Sequence, residues 1–337
     1  MKWAITADLQ FNTQPRYSML TPHGITSRLR DTVDCLRWVV NTAQTIGCER
    51  LLCVGDIFDS RTAIDVSVLD QARRAFNEAG NIIETHLVVG NHDCYLRSPR
   101  INSLQVLASP PDVIVHEKPT QEGPFYFVPW TDDRDEFQAW LRKAGKSDAL
   151  YLATHAMFEG AVPKAKGLPL SWLMDAGWHG VFMGDVHDPV VLHASDPLIR
   201  YAGAPLQIHF GDAGGERGFL VLDDETGEVE FIENDVSPRF HLVTSHDEMP
   251  EVATERDFIR VRTDDPDLAE SLAKVAKGLS SWVEVEAPVE ESVKVRLDVR
   301  ATMDDRALLE AYAKHCDVSS EQLVDAGLAL LHEARAL

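Results

Sequence analysis

Short apolar runs that stop abruptly on polar residues recur through the first half of the chain. Residues 3–7 lead into Asp8 and Gln10, and 51–54 lead into Gly55-Asp56 and then Asp59. Residues 86–89 lead into Gly90-Asn91-His92-Asp93, 151–154 into His155, and 181–183 into Gly184-Asp185-Val186-His187. Runs this short, bounded by glycine, fit strands of a sheet covered on both faces. Between them the period lengthens to that of a helix. Leu29, Val33, Leu36, Val40 and Ala43 share one face, with Thr26 or Ser27 as the cap and Gly47 as the stop. A second helix over 65–79 carries Val68, Leu69, Ala72 and Phe76 and ends at Gly80. This β-loop-α-β opening predicts a right-handed parallel crossover. Short helices are expected within 98–109, with Leu104 and Leu107 inward, and at 169–176. A strand is expected at 125–129 and an amphipathic helix at 132–144.

The pattern then changes. Strands at 198–202, Gly218–Asp223 and Val229–Glu233 follow one another, the last two joined by a hairpin turn at 224–227. Consecutive strands without helices predict a second, antiparallel-rich sheet packed on the first. Pro238 marks a boundary. Beyond it come strands at 240–244, Phe258–Arg262, Trp282–Glu286 and 293–299, with a helix at 267–279. After residue 304 only helical periodicity remains, at Asp305–His315 and 319–336. Leu323, Ala326, Leu328 and Leu331 form an apolar stripe on the last helix. The expected organisation is therefore an α/β domain over 1–237, a small α+β module over 238–300 and a helical segment over 301–337.

Charge narrows the function. The formal net charge is −22 and the pI about 4.9, with no long basic run. This argues against tight nucleic-acid binding by the isolated chain, but leaves room for a local patch, bound cations or a partner subunit. The five cysteines, Cys35, Cys48, Cys53, Cys94 and Cys316, form no Cys-x-x-Cys pair and read as reduced thiols. No apolar stretch has membrane-spanning length, and a strand begins within three residues of the N-terminus, where a signal peptide would stand. A cytoplasmic protein is expected.

The strand ends suggest one site. Asp8, Asp56, Asn91, His155 and His187 offer oxygen and imidazole donors. A phosphodiester repels nucleophiles through its own charge, and two divalent cations ~3.5–4 Å apart overcome this by clamping its oxygens and acidifying a water. Such a pair needs a bridging carboxylate, and Asp56 is the natural one, because its strand is expected between those delivering Asp8 and Asn91. His92 can serve as general acid or steady the charged phosphate.

In this order, Asp8-Leu9-Gln10, Gly55-Asp56-Ile57-Phe58-Asp59, Gly90-Asn91-His92-Asp93, Thr154-His155 and Gly184-Asp185-Val186-His187 resemble the signatures of calcineurin-like metallophosphoesterases. Tyr201–Gln207, Arg217-Gly218-Phe219 and Arg239-Phe240-His241 resemble the SbcD-type nuclease branch, which includes phage recombination subunits. The resemblance implies a four-layer αββα sandwich with a capping domain, a DNA substrate, an SbcC-like coiled-coil ATPase partner and a homodimer through 65–79 and 98–109. It implies one metal on Asp8, residue 10, Asp56 and His187, a second on Asp56, Asn91, His155 and residue 185, and His92 as the catalytic histidine. Mn²⁺ is the implied ion, with Mg²⁺ as the alternative. Two positions depart from the family pattern, where Gln10 and Asp185 replace histidines. Both exchanges put oxygen for imidazole and turn the site toward hard cations. Asp59 is a candidate catalytic residue beside His92, reading either as a group that orients a ligand or holds water or as a helix-initiating carboxylate. His23, His179, His193 and His209 read as surface or structural, and Arg16, Tyr17 and Arg61 as either phosphate contacts or solvated groups. Two other functions stay open: a small-molecule phosphodiesterase or phosphatase, and a metal-impaired DNA-end scaffold.

Overall fold

The first helix starts and stops where its chemistry dictates. The Thr26 side chain accepts from the Leu29 N–H, and Gly47 ends the helix in the left-handed conformation at φ 88°. The computed structural model describes residues 1–95, 98–109, 111–174, 177–286, 304–315 and 321–335. In chain order the strands are β1 (Lys2–Thr6), β2 (Arg50–Val54), β3 (Glu84–Val88), β4 (Val113–His116), β5 (Thr120–Glu122), β6 (Phe125–Val128), β7 (Tyr151–His155), β8 (Gly180–Gly184), β9 (Val191–His193), β10 (Leu198–Tyr201), β11 (Gly218–Asp223), β12 (Val229–Glu233), β13 (Phe240–Val243), β14 (Phe258–Arg262) and β15 (Trp282–Glu286). The α-helices are α1 (Ser27–Ile46), α2 (Val66–Gly80), α3 (Arg134–Ala144), α4 (Ser171–Met174), α5 (Pro266–Leu279), α6 (Asp305–His315) and α7 (Glu321–Arg335).

Two sheets of six strands stack face to face, in the orders β12-β11-β1-β2-β3-β4 and β5-β6-β7-β8-β10-β9. Trp3, Ile5, Leu52, Val54 and Val88 of the first meet Phe125, Phe127, Tyr151 and Phe182 of the second in a buried apolar layer. Helices α1 and α2 cover the outer face of the first sheet, and α3 and α4 cover the second. The result is the four-layer αββα sandwich. Strands β1 to β4 run parallel, as do β6, β7, β8 and β10, so both sheets send their C-terminal ends to the same rim.

The strands between 198 and 233 do not form a sheet of their own. β10 lies parallel to β8 in the second sheet, while β11 joins β1 and β12 antiparallel in the first. The segment between Tyr201 and Gly218 carries the chain from one sheet to the other, so neighbours in sequence part company. β4, β5 and β9, of three or four residues each, escaped the sequence reading.

Residues Met1–Glu286 form one compact unit. Within it β13, β14 and β15 make a separate, wholly parallel sheet packed on α5 through Val243, Ile259, Val261, Leu272 and Ala276. It is attached by a polar and aromatic seam. Buried Arg28 donates to Asp31 and to the Gln207 carbonyl and lies against Phe240 and Phe258. Tyr17 meets Phe210, Phe240 and Phe258 edge-on. The expected strand at 293–299 lies outside the described residues. In the second unit α6 and α7 pair through an Arg306–Asp325 ion pair, with Val324 buried.

Asp257 anchors the start of this sheet. Its carboxylate accepts from the N–H groups of Arg239 and Thr254 and from the Thr254 hydroxyl. Burial pushes this carboxyl up, but His241 and these donors outweigh it and hold it below its ordinary value. A depressed folded pKa gives stability above the unfolded value that is lost as pH falls. Asp257→Asn is therefore expected to cost roughly 1–3 kcal/mol at pH 7. The gap in thermal midpoint from wild type should shrink below pH about 4. A gap that is the same at pH 3 and pH 7 would rule this out.

Candidate metal centre

The parallel strands end on polar residues, and the loops beyond β1 and β2 continue side by side. Asp8 N–H donates to the Gly55 carbonyl, Gln10 N–H to Asp56 and Phe11 N–H to Ile57, at 3.0, 3.0 and 2.7 Å. Asp8, Gln10, Asp56 and Asp185 all have positive φ, at 53°, 45°, 52° and 91°. Non-glycine residues reach this region only when their surroundings hold them there, and such strain gathers at functional sites. Gly55 and Gly184 permit the crowding. A Cβ on either would overlap the His155 ring, and one on Gly184 would also overlap the Val54 carbonyl.

His155 joins the two sheets. Its Nδ1 donates to the Val54 carbonyl at 2.7 Å, which turns Nε2 into the site. Around that Nε2 stand Asn91 Oδ1 at 2.9 Å, Asp56 Oδ1 at 3.3 Å and Asp185 Oδ1 at 3.8 Å. Asp8 receives the Asp185 N–H on both carboxylate oxygens at 3.2 Å. On the far side, Gln10 Nε2 meets His187 Nε2 at 3.0 Å. Asp8, Gln10, Asp56, Asn91, His155, Asp185 and His187 thus lie in one contiguous group.

His92 stands beside this group. Its N–H donates to Asp56 Oδ1 at 2.8 Å, and its Nδ1 donates to the Asp59 carbonyl at 2.6 Å. Its Nε2 is thereby left as the free nitrogen. The Asp59 carboxylate is taken up by the Asn12 amide, so Asp59 meets His92 through its main chain.

Sequence reading passed over three supporting groups. Asp93 ties the loops after β2 and β3 together by accepting from Phe58 N–H at 3.1 Å and Gly90 N–H at 3.0 Å. Asp212 faces His187 Nδ1 at 3.6 Å and is held by Arg217 at 3.2 Å. His209 lies beside the same pair. Asp93 stood within the Gly-Asn-His-Asp run, where its signal was legible; Asp212 carried none. Of the other groups, Arg16 pairs with Glu284, Arg61 lies over Trp130, His193 bonds the Pro197 carbonyl and His179 packs on Tyr151. Cys35, Cys48, Cys53 and Cys94 are buried and unpaired, and burial pushes the Cys94 thiol up to about 12.

The electrostatics call for a cation. Burial drives the Asp8 carboxyl up to about 7, with His155 opposing and Asp56 adding to the rise. Burial likewise raises Asp185. At Asp56 burial pushes up, but the His155 imidazole and the His92 N–H outweigh it and hold that carboxyl low. Burial pushes His155 down, and Asp56, Asp8 and Asp185 more than reverse this. Protons thus stand in for positive charge. With the Nε2 proton of His155 displaced, Asn91 Oδ1, His155 Nε2 and the Asp56 carboxylate would all present lone pairs to one point, an arrangement that suits a hard divalent ion. Turning the Asn91 amide over instead makes it a donor to Asp56 at 2.9 and 3.0 Å and an acceptor from Arg61 at 2.8 Å.

The family model for calcineurin-like phosphoesterases matches residues 1–189. The chain belongs to this family. The phosphoesterase is 29% identical to exonuclease subunit 1 of Enterobacteria phage T4 over 219 residues, which are 61% of this chain and 62% of that protein. Among solved structures it is similar to an archaeal phosphodiesterase (16% identical, 69% of this chain, 100% of that one, TM-score 0.38). It is also similar to a dimetal phosphatase from Danio rerio (11%, 66% and 91%, TM-score 0.40). Proteins of this family use divalent metals, and in this chain Asp8, Asp56 and His155 bring their ligating atoms within 4.8 Å of one another. Among the described residues no helix is long and apolar enough to cross a membrane.

Proposed function

We propose that this phosphoesterase hydrolyses DNA phosphodiester bonds as the nuclease subunit of an ATPase-linked complex, with Asp56 bridging two divalent cations. The observation that carries this reading is the convergence of Asn91, Asp56 and Asp185 on His155 Nε2, while Asp56 remains close to the Asp8 side. The name of the phage relative supplies the class of substrate.

Asp8, Gln10, Asp56 and His187 would hold one cation, and Asp56, Asn91, His155 and Asp185 the other. Gln10 must turn its amide so that Oε1 replaces Nε2 toward His187. Asp212, 3.6 Å from His187 Nδ1, would leave His187 Nε2 available as a ligand. The oxygen-rich donor set favours Mn²⁺ or Mg²⁺ over Zn²⁺. When bound, the cations neutralise the phosphoryl oxygens and acidify the attacking water. His92 donates Nδ1–H to Asp59, so it acts as an acid only as the imidazolium, delivering the Nε2 proton to the leaving oxygen. In that form it also stabilises the charged transition state. Asp59 is the positioning residue for this ring.

The second reading, small-molecule phosphodiester turnover, is favoured by the net charge of −22. Purified protein with Mn²⁺, Mg²⁺ or EDTA would be given linear duplex, circular single strands, a chromogenic diester and a monoester. Metal-dependent DNA cleavage supports the nuclease. Turnover of small esters with intact DNA would establish the second reading instead. Absence of any turnover and of Mn²⁺ binding would favour a scaffold.

This reading assigns partner binding to the C-terminal helices, and the exposure of Leu308, Tyr312 and Leu330 supports it. Deleting 304–337 is expected to abolish co-purification of a coiled-coil ATPase while leaving diester turnover within about twofold. Retained co-purification would contradict the assignment. The homodimer belongs to the same reading, and exposed Val66, Ile101 and Val106 on its expected face support it.

A further inference from the structure

A second cluster lies apart from the Asp56 loops, where the chain passes from the β4 edge of the first sheet to β5 at the edge of the second. His86 on β3 and His116 on β4 point into the layer between the sheets and are buried. His86 Nδ1 stands 3.0 Å from His116 Nε2 and 3.9 Å from Glu122 Oε2. All three ligating atoms lie within 4.8 Å of one another.

We propose that His86, His116 and Glu122 form a separate structural metal site for one zinc-class ion, which ties the two sheets together at this edge. Two imidazoles and one carboxylate are a zinc donor set that leaves the fourth position to water, unlike the closed four-ligand sets of most structural zinc sites. Bond lengths of about 2.0–2.1 Å in a tetrahedron put neighbouring donors about 3.3 Å apart. The observed separations of 3.0 and 3.9 Å lie on either side of that value, so small side-chain movements complete the geometry.

The supporting shell is already in place. Glu84 Oε1 accepts from His86 Nε2 at 3.1 Å, which fixes the tautomer and leaves the Nδ1 lone pair facing His116 and Glu122. This carboxylate–histidine arrangement is the one that orients imidazole toward a metal. Glu84 is in turn held by Arg50. His116 is stacked on Phe127 with ring centroids 3.8 Å apart, which fixes its plane. Burial lowers the pKa of His86 to about 4 and that of His116 to about 3, so both rings are neutral near pH 7, as ligands must be. Glu122 keeps 42% of its side-chain surface exposed and gives an ion a way in.

The site differs in kind from the strand-end cluster. It has two imidazoles and one carboxylate, where the other is rich in oxygen, and no free face wide enough for a phosphodiester is needed for its role. The proposal stands apart from the nuclease reading, and its test uses a background in which the strand-end site is disabled.

Full-length Asp56→Asn/His155→Gln protein would be stripped with chelator and titrated with Co²⁺ alone, then with Zn²⁺ alone. One equivalent is expected to bind with the intense visible absorption of a tetrahedral ion, and Zn²⁺ is expected to raise the thermal midpoint by about 5 °C. Adding His116→Gln should remove one bound equivalent, the absorption and the shift. Adding Glu122→Gln, a change at a half-exposed edge residue, should weaken binding at least about tenfold without lowering the metal-free midpoint. Absence of tetrahedral Co²⁺ in the background protein, or binding that survives both additions, overturns the proposal.

Discussion

Asp56→Ala is expected to reduce phosphodiester hydrolysis at least about a thousandfold, with Mn²⁺ restored in excess. Asp56 is 2% exposed and its Oδ1 gathers both the His92 N–H and the His155 ring. Removing it withdraws the proposed bridge and leaves His155 facing a gap. Calorimetry should show the loss of tight Mn²⁺ binding in the same variant. His92→Ala is the control, because it removes the acid and leaves the ligand set: turnover should fall by about a hundredfold or more with Mn²⁺ affinity preserved. Asp56→Ala protein that folds and keeps activity within about tenfold of wild type would end the bridging assignment.

Removing metal should invert the stability order of wild type and Asp8→Asn. Asp8 is fully buried beside Asp56 and Asp185, and burial with Asp56 drives its carboxyl up to about 7. In EDTA at pH 8 the ionised group has no cation, and the neutral amide is expected to be more stable by on the order of 1–2 kcal/mol. The amide keeps an oxygen to receive the Asp185 N–H. With Mn²⁺ at a hundred times its dissociation constant, wild type gains about 2.7 kcal/mol and the variant much less. Thermal midpoints under the two conditions check this. The EDTA gap should narrow as pH falls below about 7 and close below pH about 3, where Asp8 is protonated whether folded or not. Wild type remaining the more stable protein in EDTA would show that Asp8 is held there by something other than the metal.

The candidate site was legible because its donors sit at abrupt ends of apolar runs. A strand buried on both faces reads as a near-continuous apolar run, so Leu51 to Val54 followed by Gly-Asp announces both the strand and its rim. Gly55, Gly90 and Gly184 stood at those ends in the sequence, but the reason each must be glycine was not legible: a side chain at any of them would collide with His155 or Asp56. The cap of α1 at Thr26 and its stop at Gly47 follow from local hydrogen bonding alone. Asp212 was not legible, since a carboxylate in a loop looks the same whether or not a histidine lies across from it. Nor was the role of Arg28, which in sequence is one more charge near a helix start but in the fold is buried against Phe240 and Phe258.

Pairing over 198–233 shows the limit most clearly. Periodicity finds β10, β11 and β12 but carries no information on partners. The crossing at Ala202 and Gly203, where Ala7 N–H reaches the Gly203 carbonyl, sends β11 to the first sheet. The His86–His116–Glu122 cluster was hidden for the same reason, because its members lie on three strands of two sheets.

By itself the sequence determined the strand ends, the helix limits and the polar side chains Asp8, Asp56, Asn91, His155 and His187 at those ends, since each depends on neighbours within a few residues. The tertiary structure alone decided which donors meet, that Asp59 serves His92 through its carbonyl, and that two imidazoles face one carboxylate between the sheets. Those contacts join residues tens to hundreds of positions apart, and only the packing of one sheet on the other sets their distances.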